Sequence, residues 1–201
     1  MPRTANPEIK ETLLRASLRC FARNGYQATS LDMIAREAHV TKGAIYWYYK
    51  DKAELFENVL QDRVAHLESL VGERLSEKMP PDERLQTLLQ TVLDFYSENP
   101  DFASLLGILR SGPDSALGPC GANEVAAYYR TVRNDFALML QQGMEQGVFV
   151  QGDPATLAVW TLAFLDGVIL QWALDPQEVS IQKLSAALVA QVMRGLCKER
   201  G

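Results

Sequence analysis

An all-α fold of about nine helices is what this chain predicts, and three observations carry that expectation. Apolar residues recur at three- and four-residue intervals along nearly the whole chain, the spacing of one buried helix face. No stretch alternates apolar and polar residues over the length of a strand. Helix boundaries are written in the residues: Asn6-Pro7, Asn99-Pro100 and Asp153-Pro154 open helices, while Gly25 and Gly147 close them.

The first helix begins at Asn6, with Pro7 where its missing N–H is harmless. Ile9, Leu13, Ala16, Ser17, Cys20 and Phe21 mark its inner side, and Gly25 ends it in a left-handed conformation. Lys10, Arg15 and Arg19 lie toward the opposite side as solvated surface. Two short helices joined by a tight turn follow. Thr29 and Ser30 offer capping hydroxyls to the first, a helix of about nine residues whose Leu31, Ile34, Ala35 and Ala38 share one side. His39 and Val40 make the turn, Thr41 caps the second helix, and that helix runs to about Tyr48.

The second helix of this pair carries the informative residues. Ile45 and Tyr49 point inward together, leaving Lys42, Gly43, Ala44, Tyr46, Trp47 and Tyr48 largely at the surface. Exposed aromatics are costly unless something covers them. A helix–turn–helix lays its second helix in the major groove of DNA. There, Gly43 and Ala44 keep the helix start slim beside base edges, with Lys42. Thr29, Ser30, Tyr46, Trp47, Tyr48 and Lys52 are placed to hold phosphates, and Thr41 caps the helix among them. The rival arrangement buries the same aromatics against a neighbouring helix. Lys42, Lys50 and Lys52 bracket the aromatics and favour DNA.

Asp51 caps one long helix that extends to about Lys78 and breaks at Met79-Pro80-Pro81. The next runs from Asp82 to before Asn99, with Leu85, Leu88, Leu89, Val92, Leu93 and Tyr96 on its apolar positions, and a short one carries Leu105, Leu106 and Leu109. The Gly- and Pro-rich stretch 111–122 reads as a loop. A helix then spans about Asn123 to Gln146. The eighth, from Pro154 to before Asp175-Pro176, is apolar nearly all round and about the length of a bilayer span. Asp166 and Gln171 inside it, and acidic flanks, make it a buried bundle helix instead. The last helix starts at Ser180 with Ile181, Leu184, Ala187, Leu188, Val192 and Leu196 on one side. The domain division expected is a head at residues 1–50 and a body at 51–201.

Charge divides at the same place. The net charge of −5 conceals a balance of +4 in residues 1–50, where eight Lys/Arg face four Asp/Glu, and −9 in the remainder. A basic end on an acidic body points to a nucleic-acid partner for that end. Three cysteines without a Cys-X-X-Cys pair imply reduced thiols in a cytoplasm. Cys20 is core, and Cys120 in the loop is either incidental or redox-sensing. Neither histidine has a glutamate three residues before it, so the di-iron Glu-X-X-His pattern is absent. No phosphate-cradling loop, Gly-X-Ser-X-Gly elbow or zinc spacing is present either. Neither catalysis nor a cofactor or metal is expected.

The run VTKGAIYWYYKDKAELF resembles the helix–turn–helix segment of TetR-family transcriptional repressors, with its Gly-X-X-Tyr-X-Tyr/His-Phe-X-X-Lys pattern. Phe21, Gly25, Thr29, Ser30, Ile34 and Ala35 match the same pattern upstream, and GAIYW is most similar to members that repress multidrug efflux pumps. Tyr48 stands where histidine is common and Tyr49 where phenylalanine is usual. The resemblance covers about the first sixty residues. It implies a homodimer that binds operator DNA and releases it when a small-molecule inducer enters the body. It also implies a dimer interface from the last two long helices, for which Leu165, Ile169, Trp172, Leu184, Leu188 and Val192 are the candidates; the rival role for these residues is the monomer's own core. Small-molecule pockets are mostly apolar with a few placed polar groups. Phe95, Tyr96, Phe102, Tyr128, Tyr129, Phe136, Trp160 and Phe164 are the candidate aromatic lining, with Arg110, Asn134, Asp166 and Gln171 as polar contacts or structural groups. From a different class, a helical protein-interaction module without DNA binding predicts no salt-sensitive affinity for any duplex.

Overall fold

The structure, a computed structural model, describes residues 6–110 and 118–198, with side chains outside 106–125. Nine helices lie among the described residues: α1 (Pro7–Ala28), α2 (Leu31–Glu37), α3 (Lys42–Tyr48), α4 (Lys52–Arg74), α5 (Pro81–Glu98), α6 (Pro100–Arg110), α7 (Gly118–Glu145), α8 (Pro154–Leu174) and α9 (Ile181–Leu196). The all-α expectation holds, and an isolated antiparallel bridge between Phe149 and Cys197 is the extended pairing found among the described residues. The chain forms two compact units, Met1–His66 with Asp101–Ala122, and Leu67–Pro100 with Asn123–Gly201.

In the first unit the cap signals act as the sequence implies. The Asn6 side chain accepts from the Glu8 N–H at 3.0 Å, and Ser30 accepts from the Met33 N–H at 3.2 Å. Gly25 takes φ 73° and ψ 169°, breaking α1 before a last turn to Ala28, a conformation that favours glycine. The helix after Ser30 has seven residues, not nine, because Ala38 already caps it and His39 turns to φ 55°. Asp51 accepts from the Glu54 N–H at 2.9 Å, so α4 starts where expected. The core is aromatic. Phe21 meets Phe56 edge-on with centroids 4.8 Å apart, and Tyr26 packs on both rings at 5.8 and 5.1 Å. Leu13, Ile34, Ile45 and Leu55 are fully buried in the same unit.

Helix α4 stops at Arg74 instead of reaching Lys78. Ser76 accepts from the Lys78 N–H and Met79 precedes Pro80, so local turn bonds and the proline both oppose further helix. Helix α7 begins at Gly118, so the expected loop is helical from there; residues 111–117 lie outside the described residues.

The second unit is built on aliphatic packing among α5, α8 and α9. Leu85, Leu89 and Leu93 of α5, Ala158 and Ile169 of α8, and Leu188 and Val192 of α9 are all buried. After α7, Gly147 takes φ 74°, and the Val148 and Phe149 N–H groups both donate to the Gly143 carbonyl. The Phe149 ring folds onto Gly143 so closely that a Cβ there would lie 2.1 Å from it. The Val150 N–H donates to Leu196 and the Lys198 N–H to Val148, fastening the end of α9 to this turn. Helix α8 is long and apolar enough to cross a membrane by composition, with mean hydropathy 1.7, yet it packs on α5 and α9.

Candidate nucleic-acid interface

Helix α3 begins at the Thr41 cap, whose hydroxyl accepts from the Ala44 N–H at 3.2 Å. Ile45 is its one buried side chain, and Tyr49 follows, buried, at the C-cap. Tyr46 and Trp47 are 54% and 52% exposed, so two large aromatics face outward from a seven-residue helix. The open side of Gly43 meets no closer atom than Thr41 Oγ1 at 3.9 Å. A hollow of about 540 Å³ is lined by Asn6, Ile9, Thr41, Gly43, Ala44, Trp47 and Tyr48. Thr41, Gly43, Ala44 and Trp47 are thus brought together on one surface, with Ser30 exposed at the start of α2.

Three expected contacts turn out to be occupied within the protein. Thr29 is 1% exposed, and its hydroxyl lies 2.7 Å from the Gly25 carbonyl and 3.0 Å from that of Cys20. It therefore holds the α1–α2 connection; the expectation that its side chain grips a phosphate is corrected, because a buried, bonded hydroxyl has nothing left to offer. Lys52 Nζ donates to the carbonyls of Tyr26 and Thr29 at 2.7 and 2.9 Å and lies 4.3 Å above the Tyr26 ring centre. The Tyr48 hydroxyl accepts from the Asn6 N–H at 3.0 Å and donates to the Asn6 carbonyl at 3.1 Å. Sequence reasoning missed Asn6 as that partner, since 42 residues separate the two. Lys42 donates to Asp32 at 2.8 Å across the turn, both groups well exposed, a pair that a phosphate can displace at small cost.

The ionisations follow these contacts. The bond to Asp32 raises the Lys42 ammonium above its ordinary value. Burial lowers that of Lys52. Glu37 is held below the usual carboxylate range by the hydrogen bond from Arg19 at 2.7 Å. Tyr49 is pushed up to about 12, mainly by burial and then by Asp62 and Glu54, and its hydroxyl has no hydrogen-bond partner among the described residues. The Cys20 thiol is raised chiefly by burial, as a core thiol should be; the Cys120 side chain lies outside the described residues.

Within the second unit a cavity of about 400 Å³ opens among α4, α5, α7 and α8. Leu67, Val71, Leu88, Val92, Phe136 and Leu162 give it apolar walls, while Glu68, Arg84, Tyr128 and Asp135 supply polar groups. Of the proposed lining, Tyr128 and Phe136 stand on this wall. Phe95 and Phe102 are buried in the packing, and Asn134 and Gln171 are exposed. Asp166 accepts from the Tyr129 hydroxyl at 3.4 Å, and the Arg110 side chain lies outside the described residues. Tyr128 is raised to about 12 by burial first, then by Glu68. Glu68, Arg84 and Asp135 carried no sequence signal, being ordinary charged residues on amphipathic helices.

The dimer candidates also need correction. Leu165, Ile169, Trp172, Leu188 and Val192 are each 8% exposed or less, Leu184 is partly buried, and Leu165 lines the cavity. They close the monomer's own core. The exposed large apolar side chains of α8 are instead Val159, Trp160, Phe164 and, at its last residue, Leu174; Trp160 and Phe164, both expected in the pocket, have their rings 6.0 Å apart. An all-round apolar helix gives no periodicity from which to choose the inward face.

Residues 13–59 match the family of bacterial regulatory proteins, tetR family, and residues 81–196 match the BetI-type transcriptional repressor C-terminal region. The chain belongs to the TetR family. It is thus a DNA-binding regulator of transcription. A relative, the HTH-type transcriptional repressor SCO4008 of Streptomyces coelicolor, is 30% identical over 84% of this chain and 80% of its own. The same fold occurs in a regulator from Saccharomonospora viridis in complex with choline (TM-score 0.82, 22% identity, 96% and 100% of the two chains). It occurs again in a complex with triclosan of SmeT, repressor of a Stenotrophomonas maltophilia multidrug efflux pump (TM-score 0.79, 22% identity, 96% and 93%).

Proposed function

We propose that this TetR-family regulator is a homodimeric, non-enzymatic, cytoplasmic repressor that leaves its operator when an apolar small molecule occupies the α4–α5–α7–α8 cavity. The observation carrying the DNA half is a seven-residue helix presenting Tyr46 and Trp47 outward on a chain end of charge +4. Ser30, Thr41, Lys42, Gly43, Ala44, Tyr46 and Trp47 are the contact residues in this reading. Gly43 and Ala44 approach base edges, and the aromatics and hydroxyls hold phosphates. The functional division is a DNA-binding head over residues 1–50 and a ligand and dimer region over 51–201.

The cavity supports a ligand with a mostly apolar body and one or two polar groups, addressed by Tyr128, Glu68, Asp135 or Arg84. Choline and triclosan in proteins of the same fold support a small-molecule effector here. Such a ligand must bind the DNA-incompetent state more tightly, with a coupling of about 1–3 kcal/mol. The exposed Val159–Phe164 strip supports a second copy as partner rather than a membrane, since two heads read two half-sites.

Capture of duplexes from a genomic pool, followed by a salt titration of the captured sequence, tests the reading. A steep linear fall of log affinity with log salt is expected. Salt-independent binding, or no retained duplex in dilute buffer, would instead favour a protein-interaction module.

A further inference from the structure

The DNA-reading helix is under-anchored by apolar packing. Seven residues are too few for a stable isolated helix, and Ile45 is the one buried side chain within it. A single apolar knob fixes where the helix sits but leaves rotation about that knob soft. Two polar fastenings act at its C-terminal end. At its last residue, the Tyr48 hydroxyl accepts from the Asn6 N–H at 3.0 Å and donates to the Asn6 carbonyl at 3.1 Å. Four residues on, Lys52 Nζ reaches the carbonyls of Tyr26 (2.7 Å), Thr29 (2.9 Å) and Gln27 (3.4 Å).

An ammonium group has three protons, and these carbonyls, with the Tyr26 ring beneath, account for them. The carbonyls at a helix C-terminus lack intrahelical donors and favour a positive charge. Swinging Lys52 out to a phosphate would take that charge and those bonds away from the end of α1. Only Tyr49, Lys50 and Asp51 separate α3 from α4, so holding Lys52 also fixes where α3 ends.

We propose that Tyr48 and Lys52 are positioning residues for operator recognition, internal fastenings that set the angle of α3 before DNA arrives, and not phosphate contacts. Their contribution to affinity is preorganisation: the bound geometry of α3 exists in the free protein, so less order is lost on binding. The role differs from the phosphate-clamping one that the sequence suggests for both residues. It rests on α3 being the helix that reads DNA.

The test uses the full-length chain, a duplex selected by the wild type, and the variants Tyr48→Phe, Lys52→Met and Lys52→Arg. Each is expected to weaken operator binding about fivefold to tenfold while leaving the slope of log affinity against log salt unchanged. Lys52→Arg is the decisive variant, because it keeps the charge but sets a planar fork where a compact ammonium fits. Amide exchange across Lys42–Tyr48 in the free protein is expected to quicken in all three, with α5 and α9 unchanged as the check on folding. A salt slope reduced by about one in Lys52→Met, full affinity in Lys52→Arg, or unaltered exchange in α3 would each overturn the proposal. The exchange arm needs no DNA. It decides the fastenings even where no duplex is retained, an outcome that would sink the DNA reading separately.

Discussion

Helices α3 and α8 solve opposite problems. The first has seven residues, one buried side chain and a set of polar ties to its neighbours. The second has twenty-one residues, apolar on every side, of which Ala158, Thr161, Leu165, Ile169 and Trp172 are buried while Val159, Trp160 and Phe164 are not. An element that must offer its side chains to another molecule cannot also bury them, so hydrogen bonds orient it. An element with surplus apolar surface needs no such ties, and what remains exposed is available to a partner. The orientation of α3 is therefore a matter of directional bonds, and that of α8 a matter of volume.

That contrast is sharpened most by Gly143→Ala. The added methyl meets the Phe149 ring at 2.1 Å, and Phe149 is fully buried, so the turn after α7 must shift. A loss of about 3 kcal/mol is expected from urea unfolding, in the range for overpacking; a loss below about 1 kcal/mol would mean that the second unit is not volume-limited.

In the first unit the corresponding weak point is polar. Tyr49 titrates near 10 when unfolded and at about 12 when folded, so the folded chain holds the proton more tightly. Stability from this group is complete below pH 10 and is lost as pH rises through 12, by up to roughly 2–3 kcal/mol. Tyr49→Phe should remove that alkaline loss and, by deleting a buried hydroxyl with no partner among the described residues, add about 1 kcal/mol at neutral pH. Matching denaturation curves for the two proteins at pH 7 and pH 11 would contradict this.

Trp160→Ala asks whether the exposed strip of α8 is a self-association face. A central aromatic of such a face is worth about 2 kcal/mol, so sedimentation should show dissociation at a concentration roughly thirtyfold higher. Unchanged association would move the interface elsewhere. The smallest effect on the fold is expected from Gly43→Ala. The nearest atom to the new methyl lies at 3.9 Å, and helix propensity favours alanine by under about 1 kcal/mol. Stability should hold or rise slightly, whereas operator affinity should fall if the backbone at Gly43 closes on the duplex; retained affinity would remove Gly43 from the contact surface.

The sequence by itself determined the helical class, the caps at Asn6, Ser30, Thr41, Asp153 and Ser180, and the outward aromatics of α3. Each of these depends on residues within a few positions of one another, so local spacing suffices. Only the tertiary structure decided that Thr29 is buried, that Tyr48 meets Asn6, that Lys52 turns back to α1, and which face of α8 is core. Those outcomes depend on which distant carbonyl or side chain arrives alongside, and no periodicity in the chain encodes a partner 42 residues away.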